Sequence, residues 1–336
     1  MVKGFPTLQR KLNKAANFNR RKNIRLVNWN NATWQIDGSG RAYNTPTLGG
    51  ELLTDGGFEN WSSPTNLVSW TEVVSGASGV AQETTIVNSG SNAARISVDT
   101  SNSVVYIRQS VAATIGAWIA YSAHLTTNVN ERSVRIDLSS TTQATGPTIA
   151  LTLAYQRYNQ SARATGTTQT LDIIRAVMVD ASYYVDDASV RTISLPTTLA
   201  TIAGSAANQT ASAKIHTLTT GTQAGVGALL DSASNPQNFL IAYHDGTNVR
   251  LEKCVSGVYT QLISTAVTFV SNAQIEIRRP SGNTFQLWYN GTQRGTDQTI
   301  SDSGIINNNL YGIFSTYSGN LISEFTLGGV VIPFTF

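Results

Sequence analysis

The chain has 336 residues, a length that suits two or three domains of ordinary size. Hydrophobic residues make up 41% and charged residues 13%, which is too apolar for a disordered chain. No apolar run approaches the roughly 20 residues that a membrane-spanning helix needs, so membrane insertion is not expected. The formal net charge of +3 is unevenly spread: residues 1–41 carry nine basic side chains and one acidic one, whereas the remainder carries 14 basic and 19 acidic groups.

The sequence gives two indications of compartment. Residues 1–10 contain no apolar core of the kind found in a secretory signal peptide. Cys254 is the single cysteine and cannot form an internal disulfide, which excludes a disulfide-stapled secreted scaffold. We therefore expect the protein to fold in a cytoplasm, wherever it later acts.

Residues 1–50 are predicted to form a basic arm and an extended linker that becomes ordered on a partner. Three roles are open: docking in the grooves of another protein, non-specific binding of nucleic acid, or a solvated tail. We favour protein docking over nucleic acid because large apolar side chains and asparagines alternate with the charges. The candidate docking residues are Arg10, Lys11, Lys14, Phe18, Arg20, Arg21, Lys22, Arg25, Trp29 and Trp34.

The rest of the chain shows the period-two pattern of β-strands. Apolar and polar residues alternate at residues 133–138 and again at residues 284–289. Asp245-Gly246 and Asn290-Gly291 have the composition of hairpin turns, because both positions of such turns accept a positive φ. The predicted fold class is all-β, with two β-sandwich (jelly-roll) domains at residues 51–195 and 196–336.

Two runs near the ends of the first domain carry a resemblance. Residues 52–61 read Leu-Leu-Thr-Asp-Gly-Gly-Phe-Glu-Asn-Trp, and residues 183–190 read Tyr-Tyr-Val-Asp-Asp-Ala-Ser-Val. Both resemble the opening and closing strands of the galactose-binding-like jelly rolls in families 4 and 9 of the carbohydrate-binding modules. The resemblance covers about 145 residues and implies a glycan-binding type of domain.

The same resemblance implies a structural calcium ion, held by Glu59 and by Asp186 or Asp187. Calcium takes several oxygen ligands, which two carboxylates and backbone carbonyls can supply. The alternative is that Glu59 is solvated and Asp187 merely ends a strand. Because neighbouring residues on a strand point to opposite faces, Asp186 and Asp187 are not expected to act together as an acid/base pair.

Three runs in the second domain also carry a resemblance: residues 249–257, residues 275–291, and a closing strand through residues 323–327. On these runs, residues 200–336 resemble the concanavalin A-like, laminin-G-type sandwich of lectins and glucanases. The glucanases alternate carboxylates along one strand, whereas Gln274-Ile-Glu-Ile-Arg-Arg has a single carboxylate. A retaining hydrolase needs two carboxylates about 5 Å apart, so this departure argues against that chemistry.

Other catalytic patterns are also missing from the sequence. The three histidines stand in no metal-binding spacing, and there is no G-x-S-x-G motif. His244 precedes a hairpin turn, and we expect it at the surface end of a strand. We predict that the protein is not an enzyme.

Sugar-binding sandwiches present aromatic rings to the apolar faces of pyranoses, with amides and carboxylates around them. The alternative for each aromatic residue is packing in a core or at an edge. Trp288 shares a polar face with Gln286, opposite Phe285 and Leu287, so it is expected to be exposed or covered by another subunit. The glycan-binding candidates are Trp61, Trp70, Trp118, Tyr243, Trp288 and Asn290.

A basic arm that leads into two such sandwiches resembles the architecture of bacteriophage virion proteins, including tail fibres and head decorations. This resemblance implies synthesis in the host cytoplasm, a place in the virion, and capsid or tail partners for residues 1–50. It also implies host-surface glycans as ligands, and a homo-oligomer or many copies per particle. The alternatives are a purely structural head or tail protein without glycan binding, and a polysaccharide-degrading enzyme with an unrecognised site.

Overall fold

A computed structural model describes Trp29 and residues 33–99, 104–129, 132–140, 146–177, 181–204 and 210–336. The candidate docking residues from Arg10 to Arg25 lie outside these ranges. The regular secondary structure of the described chain is almost entirely antiparallel β-strand, which confirms the all-β prediction. No helix in these ranges is long and apolar enough to cross a membrane.

Strands from the first part of the chain are mostly short at the beginning and longer towards residue 193. They are β1 (Trp34–Ile36), β2 (Ala42–Asn44), β3 (Leu48–Glu51), β4 (Trp61–Ser63), β5 (Asn66–Leu67), β6 (Thr71–Val74), β7 (Gly79–Glu83), β8 (Ala93–Val98), β9 (Val105–Ala112), β10 (Trp118–Thr127), β11 (Ser133–Ser139), β12 (Ile149–Ala150), β13 (Gln156–Arg163), β14 (Thr168–Val177) and β15 (Ala181–Ile193).

The second part begins with a 3₁₀ helix at Leu195–Thr198 and contains one short helix, α1 (Ser303–Ile306). Its strands are β16 (Leu199–Ala203), β17 (Ala211–Thr217), β18 (Ala224–Leu230), β19 (Phe239–His244), β20 (Asn248–Val255), β21 (Val258–Ala266), β22 (Ala273–Ser281), β23 (Thr284–Tyr289), β24 (Thr292–Thr299), β25 (Leu310–Ser315), β26 (Leu321–Leu327) and β27 (Val330–Ile332).

The first sandwich packs two main sheets face to face. One has the order β13-β10-β15-β8-β7, with β3 added to β15, and the other has the order β12-β11-β14-β9-β6. Val134, Ile136 and Leu138 point into the core between them, as the alternation at residues 133–138 predicted.

The second sandwich also has two sheets. They have the orders β1-β2-β26-β17-β22-β23-β24, with β27 added to β26, and β16-β25-β18-β19-β20-β21. Phe285, Leu287 and Tyr289 are buried between them, and Trp288 lies on the outer face, in agreement with the predicted alternation.

Trp29 and residues 33–50 correct the prediction of an extended linker. Trp29 is 8% exposed and Trp34 is 2% exposed, and both belong to the core of the second sandwich. The indole of Trp29 packs against Phe325 and Phe334, and its Nε1 donates to the carbonyl of Pro333 at 2.9 Å. Buried rings are not available to an outside partner, so these two tryptophans are not docking residues.

His244 also differs from its expected place at the surface. Its ring is completely buried against Phe269 and Tyr289, with ring centroids 5.5 and 5.1 Å away. Nδ1 accepts a hydrogen bond of 2.9 Å from the N–H of Gly246. The residue therefore lies in the core of the second sandwich.

The two sandwiches share a third apolar cluster where they meet. Trp118 and Ile193 of the first sandwich pack against a group from the second that includes Phe239, Ile241 and Phe314. Beside this cluster, Ser161 Oγ donates to Gln223 Oε1 at 2.7 Å, and Gln223 Nε2 donates back to the Ser161 carbonyl at 2.8 Å. The contact between the two sandwiches therefore consists of buried apolar side chains and buried hydrogen bonds.

Candidate functional site between the two sandwiches

A cleft of about 590 Å³ opens at the junction of the two sandwiches. The first sandwich contributes the end of β13 and the segment around Pro147. The second contributes the turns around Gly221 and Asp245, together with β20. This volume falls within the range of roughly 300–1,000 Å³ that is usual for small-ligand sites.

The turn at Asp245 forms one wall of the cleft. The carboxylate of Asp245 holds this turn in shape through hydrogen bonds. Oδ1 accepts the N–H groups of Thr247 at 2.9 Å and Asn248 at 2.7 Å, and Oδ2 accepts Arg250 Nε at 2.9 Å. Burial by itself raises the pKa of Asp245, but these hydrogen bonds and the guanidinium lower it below its ordinary value. Asp245 is therefore ionised at neutral pH.

Glu252 forms the base of the cleft and joins the two sandwiches. It is 1% exposed, and Arg163 of the first sandwich lies 2.7 Å from Oε2 through Nη1 and 3.0 Å from Oε1 through Nη2. The Tyr243 hydroxyl donates to Oε1 at 3.0 Å. Burial, with the charge of Glu252, raises the pKa of Tyr243 well above its ordinary value, so the phenol stays protonated as a donor.

The charged side chains that line the cleft form ion pairs with one another. Arg163 is paired with Glu252, and Arg250 is paired with Asp245. The guanidinium of Arg163 also lies over the ring of Tyr259, at 4.3 Å from its centroid. Hydroxyl and amide groups make up most of the remaining polar lining; they belong to Thr165, Thr220, Gln223, Thr247 and Asn248. This arrangement suits an uncharged ligand with many hydroxyl groups.

Two of the sequence-predicted glycan-binding residues meet at this cleft. Trp118 and Tyr243 are 5.9 Å apart between ring centroids, at an interplanar angle of 77°. They are only 2% and 5% exposed, because each also packs against Phe314 in the cluster between the sandwiches. The pair therefore supports the base of the cleft and does not form an open stacking platform.

Trp61 and Trp70 lie in the first sandwich, away from the cleft. Trp70 is buried against Phe58 at 4.9 Å between ring centroids, and its Nε1 donates to the Asp55 carbonyl at 3.0 Å. Trp61 is half-buried and donates to the carbonyl of Phe58 at 2.7 Å. Both indoles fix the opening turn of this sandwich.

Trp288 and Asn290 lie on the outer side of the second sandwich. The guanidinium of Arg278 lies 3.7 Å from the centroid of the Trp288 ring, and the indole Nε1 donates to Gln286 Oε1 at 2.9 Å. Asn290 is exposed in a hairpin turn, with φ at 49°. Because a guanidinium covers a face of the indole, that face is not free to stack on a sugar ring.

The three predicted calcium ligands converge on the loop at residues 88–92. Glu59 Oε1 accepts the N–H of Ser91 at 2.9 Å, and Asp186 Oδ2 accepts the N–H groups of Asn88 and Ser89 at 2.8 and 3.0 Å. Asp187 accepts Asn88 Nδ2 and Ser89 Oγ, each at 2.7 Å.

This convergence corrects the expectation that Asp186 and Asp187 act on opposite faces. Asp187 has a φ of 47°, and the pairing of β15 with β10 shifts between the partners of Ser122 and His124. A bulge of this kind interrupts the regular alternation of side chains. Both carboxylates therefore reach the same loop.

The arrangement does not fit the calcium ion that the resemblance implied. The carboxylate oxygens of Glu59, Asp186 and Asp187 accept hydrogen bonds from N–H and O–H groups of the loop. A bound calcium ion instead needs several oxygen atoms directed at the ion itself. Within the described ranges, no group of three or more His, Cys, Asp or Glu side chains is placed to hold a metal ion. The carboxylates instead clamp the loop to the sandwich.

Gly56 provides a test of this clamped region. A Cβ on Gly56 would lie 2.1 Å from the carbonyl oxygen of Ala188, whereas a Cβ on Gly57 would meet nothing closer than 3.9 Å. We expect Gly56→Ala to lower the free energy of unfolding by about 2–3 kcal/mol, since backbone must move to relieve the overlap. Gly57→Ala is the matched control and should cost less than about 1 kcal/mol. Equal losses in chemical denaturation would contradict the close approach.

Sequence reasoning missed the charged residues of the cleft. Arg163 and Glu252 are 89 positions apart, and no local pattern connects them. The one signal was the alternation at Val249-Arg-Leu-Glu, which places Arg250 and Glu252 on the same face of a strand. What lies opposite that face depends on the contact between the sandwiches.

No model of a protein family matches the chain, and no curated protein matches it. Among solved structures, it is similar to the CBM22-1 xylan-binding domain of Paenibacillus barcinonensis Xyn10C. The identity is 11%, the TM-score is 0.34, and the match covers 44% of this chain and 96% of that domain. The CBM22-1-CBM22-2 tandem domain of the same protein is similar at 8% identity and a TM-score of 0.35, over 83% of this chain and 98% of the tandem.

A third similarity is to the enzymatically active domain of tailspike protein 4 from bacteriophage CBA120. The identity is 14%, the TM-score is 0.32, and the match covers 43% of this chain and 21% of that chain.

Proposed function

We propose that the protein is a non-catalytic glycan-binding protein and that its ligand occupies the cleft between the sandwiches. One observation carries the proposal: both sandwiches line one cleft with hydrogen-bonding groups whose charges are already paired within it. The ion pairs hold the carboxylates and guanidinium groups in fixed positions. Donor and acceptor sites of the lining that the ion pairs do not use can then bind the hydroxyl groups of a neutral sugar. The apolar rings of Trp118 and Tyr243 hold this base rigid.

The pairing of the carboxylates supports a binding role over catalysis. A glycoside hydrolase needs one carboxyl group that keeps a proton to donate at working pH. In this cleft Glu252 is held by Arg163, and the pKa of Asp245 is lowered by its hydrogen bonds and by Arg250. Each carboxylate of the cleft is therefore already occupied by an ion pair.

The biological setting that we propose is attachment of a bacteriophage particle to a host-surface glycan. Its support is the sequence: the basic residues are concentrated before residue 42, and the arm-and-sandwich order resembles that of virion proteins. Because Trp29 and Trp34 belong to the second sandwich, attachment to capsid or tail partners is assigned to residues 1–28. Many copies on one particle would make weak binding at each cleft sufficient.

Asn248 offers a test of the cleft that leaves its ion pairs in place. Its side chain is half-buried at the mouth of the cleft. We expect the full chain to bind at least one neutral oligosaccharide on a glycan array, and Asn248→Ala to weaken that binding about tenfold through the loss of hydrogen bonds to the ligand.

Asn60→Ala is the matched control, because Asn60 is exposed on the first sandwich and lies outside the cleft. This variant should bind as the unmodified chain does. Absence of binding to every glycan would contradict the proposed function and favour a purely structural role in an assembly. Release of reducing sugar from a bound polysaccharide would contradict the non-catalytic assignment.

A further inference from the structure

A second pocket, of about 310 Å³, also lies where the sandwiches meet. It is bounded by β10 and β13, by the segment at residues 45–48, and by the loop at residues 316–318. Of the residues that line the cleft, only Tyr121 also lines this pocket. It differs from the cleft in that the charged residues of its lining are two arginines, Arg157 and Arg191, with no carboxylate.

Arg157 is the principal charged group of this pocket. It is exposed, and its Nη2 donates to Ser122 Oγ at 3.1 Å. No Asp or Glu in the described ranges forms an ion pair with it, in contrast to Arg163 and Arg250 of the cleft. Arg157 therefore has N–H groups and a positive charge available for a ligand.

Two hydroxyl groups beside Arg157 each accept one hydrogen bond. Ser122 Oγ accepts from Arg157, and the Tyr317 hydroxyl oxygen accepts from Asn159 Nδ2 at 3.0 Å. A hydroxyl that accepts one hydrogen bond keeps its own proton to donate. The hydroxyl protons of Ser122 and Tyr317 take no part in these two bonds and can be donated to a ligand in the pocket that both residues line.

Arg191 adds a second guanidinium group to the lining, and its charge is paired with a carboxylate outside the pocket. Its Nε pairs with Glu51 Oε2 at 3.1 Å, and Glu51 does not itself line the pocket. Its side chain is 42% exposed. Two guanidinium groups, one of them without an ion-pair partner among the described residues, and two hydroxyl groups therefore surround a space of about 310 Å³, with no carboxylate among the lining residues.

We infer that this pocket binds an oxyanion, a carboxylate or sulfate group, with Arg157 as its main ligand-binding residue. Planar guanidinium groups bind such groups through two parallel N–H donors, and hydroxyl donors complete the shell. An oxyanion of this kind is carried by acidic saccharides, and it also exists as a free ion. The inference does not depend on the neutral ligand that is proposed for the cleft.

The test uses the full chain labelled with ¹⁵N and three probes: glucuronate, inorganic sulfate and glucose. Glucuronate and sulfate should each shift amide signals around the pocket, and glucose should not shift them. Arg157→Gln should weaken glucuronate binding about tenfold or more, because hydrogen bonds to a charged group are lost. Added chloride salt should weaken the binding as well.

Arg95→Gln is the matched control, because it removes the same charge from an exposed arginine that lines neither pocket. Its affinity for glucuronate should stay within about twofold of the unmodified chain, since a distant exposed charge is screened. Tighter binding of glucuronate than of sulfate would identify a saccharide-borne anion, and equal binding would identify a general oxyanion site.

Failure of both anions to bind would overturn the inference, and so would equal weakening by Arg157→Gln and Arg95→Gln. Binding of neutral glycans that is sensitive to Asn248→Ala would remain intact in either case. The two proposals therefore fail separately.

Discussion

Replacing Arg163 with methionine is expected to lower the free energy of unfolding by about 3–5 kcal/mol, the usual cost of leaving a buried charge without its partner. Glu252 is 1% exposed, and both of its oxygens face Arg163 from the neighbouring sandwich. After the substitution, the Tyr243 hydroxyl is the donor that remains to this carboxylate among the described residues. Chemical denaturation of the full chain measures the loss.

A second substitution tests the cause of this loss. Glu252→Gln removes the charge that Arg163→Met leaves unpaired, so the double variant should recover much of the stability that the single variant loses. Lys214→Met is the control: it breaks a partly exposed ion pair with Glu324 and should cost no more than about 1 kcal/mol. A loss for Arg163→Met no larger than this control, or no recovery in the double variant, would contradict a buried pair between the sandwiches.

The second large effect is a loss of stability in acid that originates at His244. Burial lowers the pKa of this imidazole from 6.5 to about 4, with the charge of Asp245 acting in the opposite direction. Between these values the unfolded chain binds a proton that the folded chain does not. Stability is therefore complete above about pH 6.5 and falls as the pH decreases towards 4, by about 3 kcal/mol from this residue.

The slope of stability against pH isolates this contribution from the carboxyl groups of the chain. His244→Gln should flatten the slope between pH 6.5 and 4, even if the variant is less stable at every pH. His216→Gln is the control, because His216 lies at the surface, where Nδ1 is 3.2 Å from Asn272 Oδ1, and the slope should be kept. An unchanged slope in His244→Gln would show that the buried imidazole does not govern acid stability.

Local patterns predicted the strands well. The alternation at residues 133–138 and 284–289 depends only on which side chains face a core, and the structure has β11 and β23 at these places. The turn at Asp245-Gly246 also follows from local chemistry, since Gly246 has a φ of 98°.

The errors come from contacts between distant parts of the chain. Trp29 is buried by residues about 300 positions away, and nothing near it in the sequence shows that β1 and β2 join the second sandwich. The sequence inference that Asp186 and Asp187 point to opposite faces assumed a regular strand, and the bulge at Asp187 makes it wrong. The cleft depends on the docking of Arg163 onto Glu252, which neither sandwich specifies alone.

The most direct test of the proposed function is to locate a bound neutral oligosaccharide on the full chain. In a crystal structure of the complex, the sugar should lie between the end of β13 and the turn at residues 245–248, with hydrogen bonds to groups from both sandwiches. A sugar seated on the outer face around Trp288, with the cleft free of it, would contradict the account.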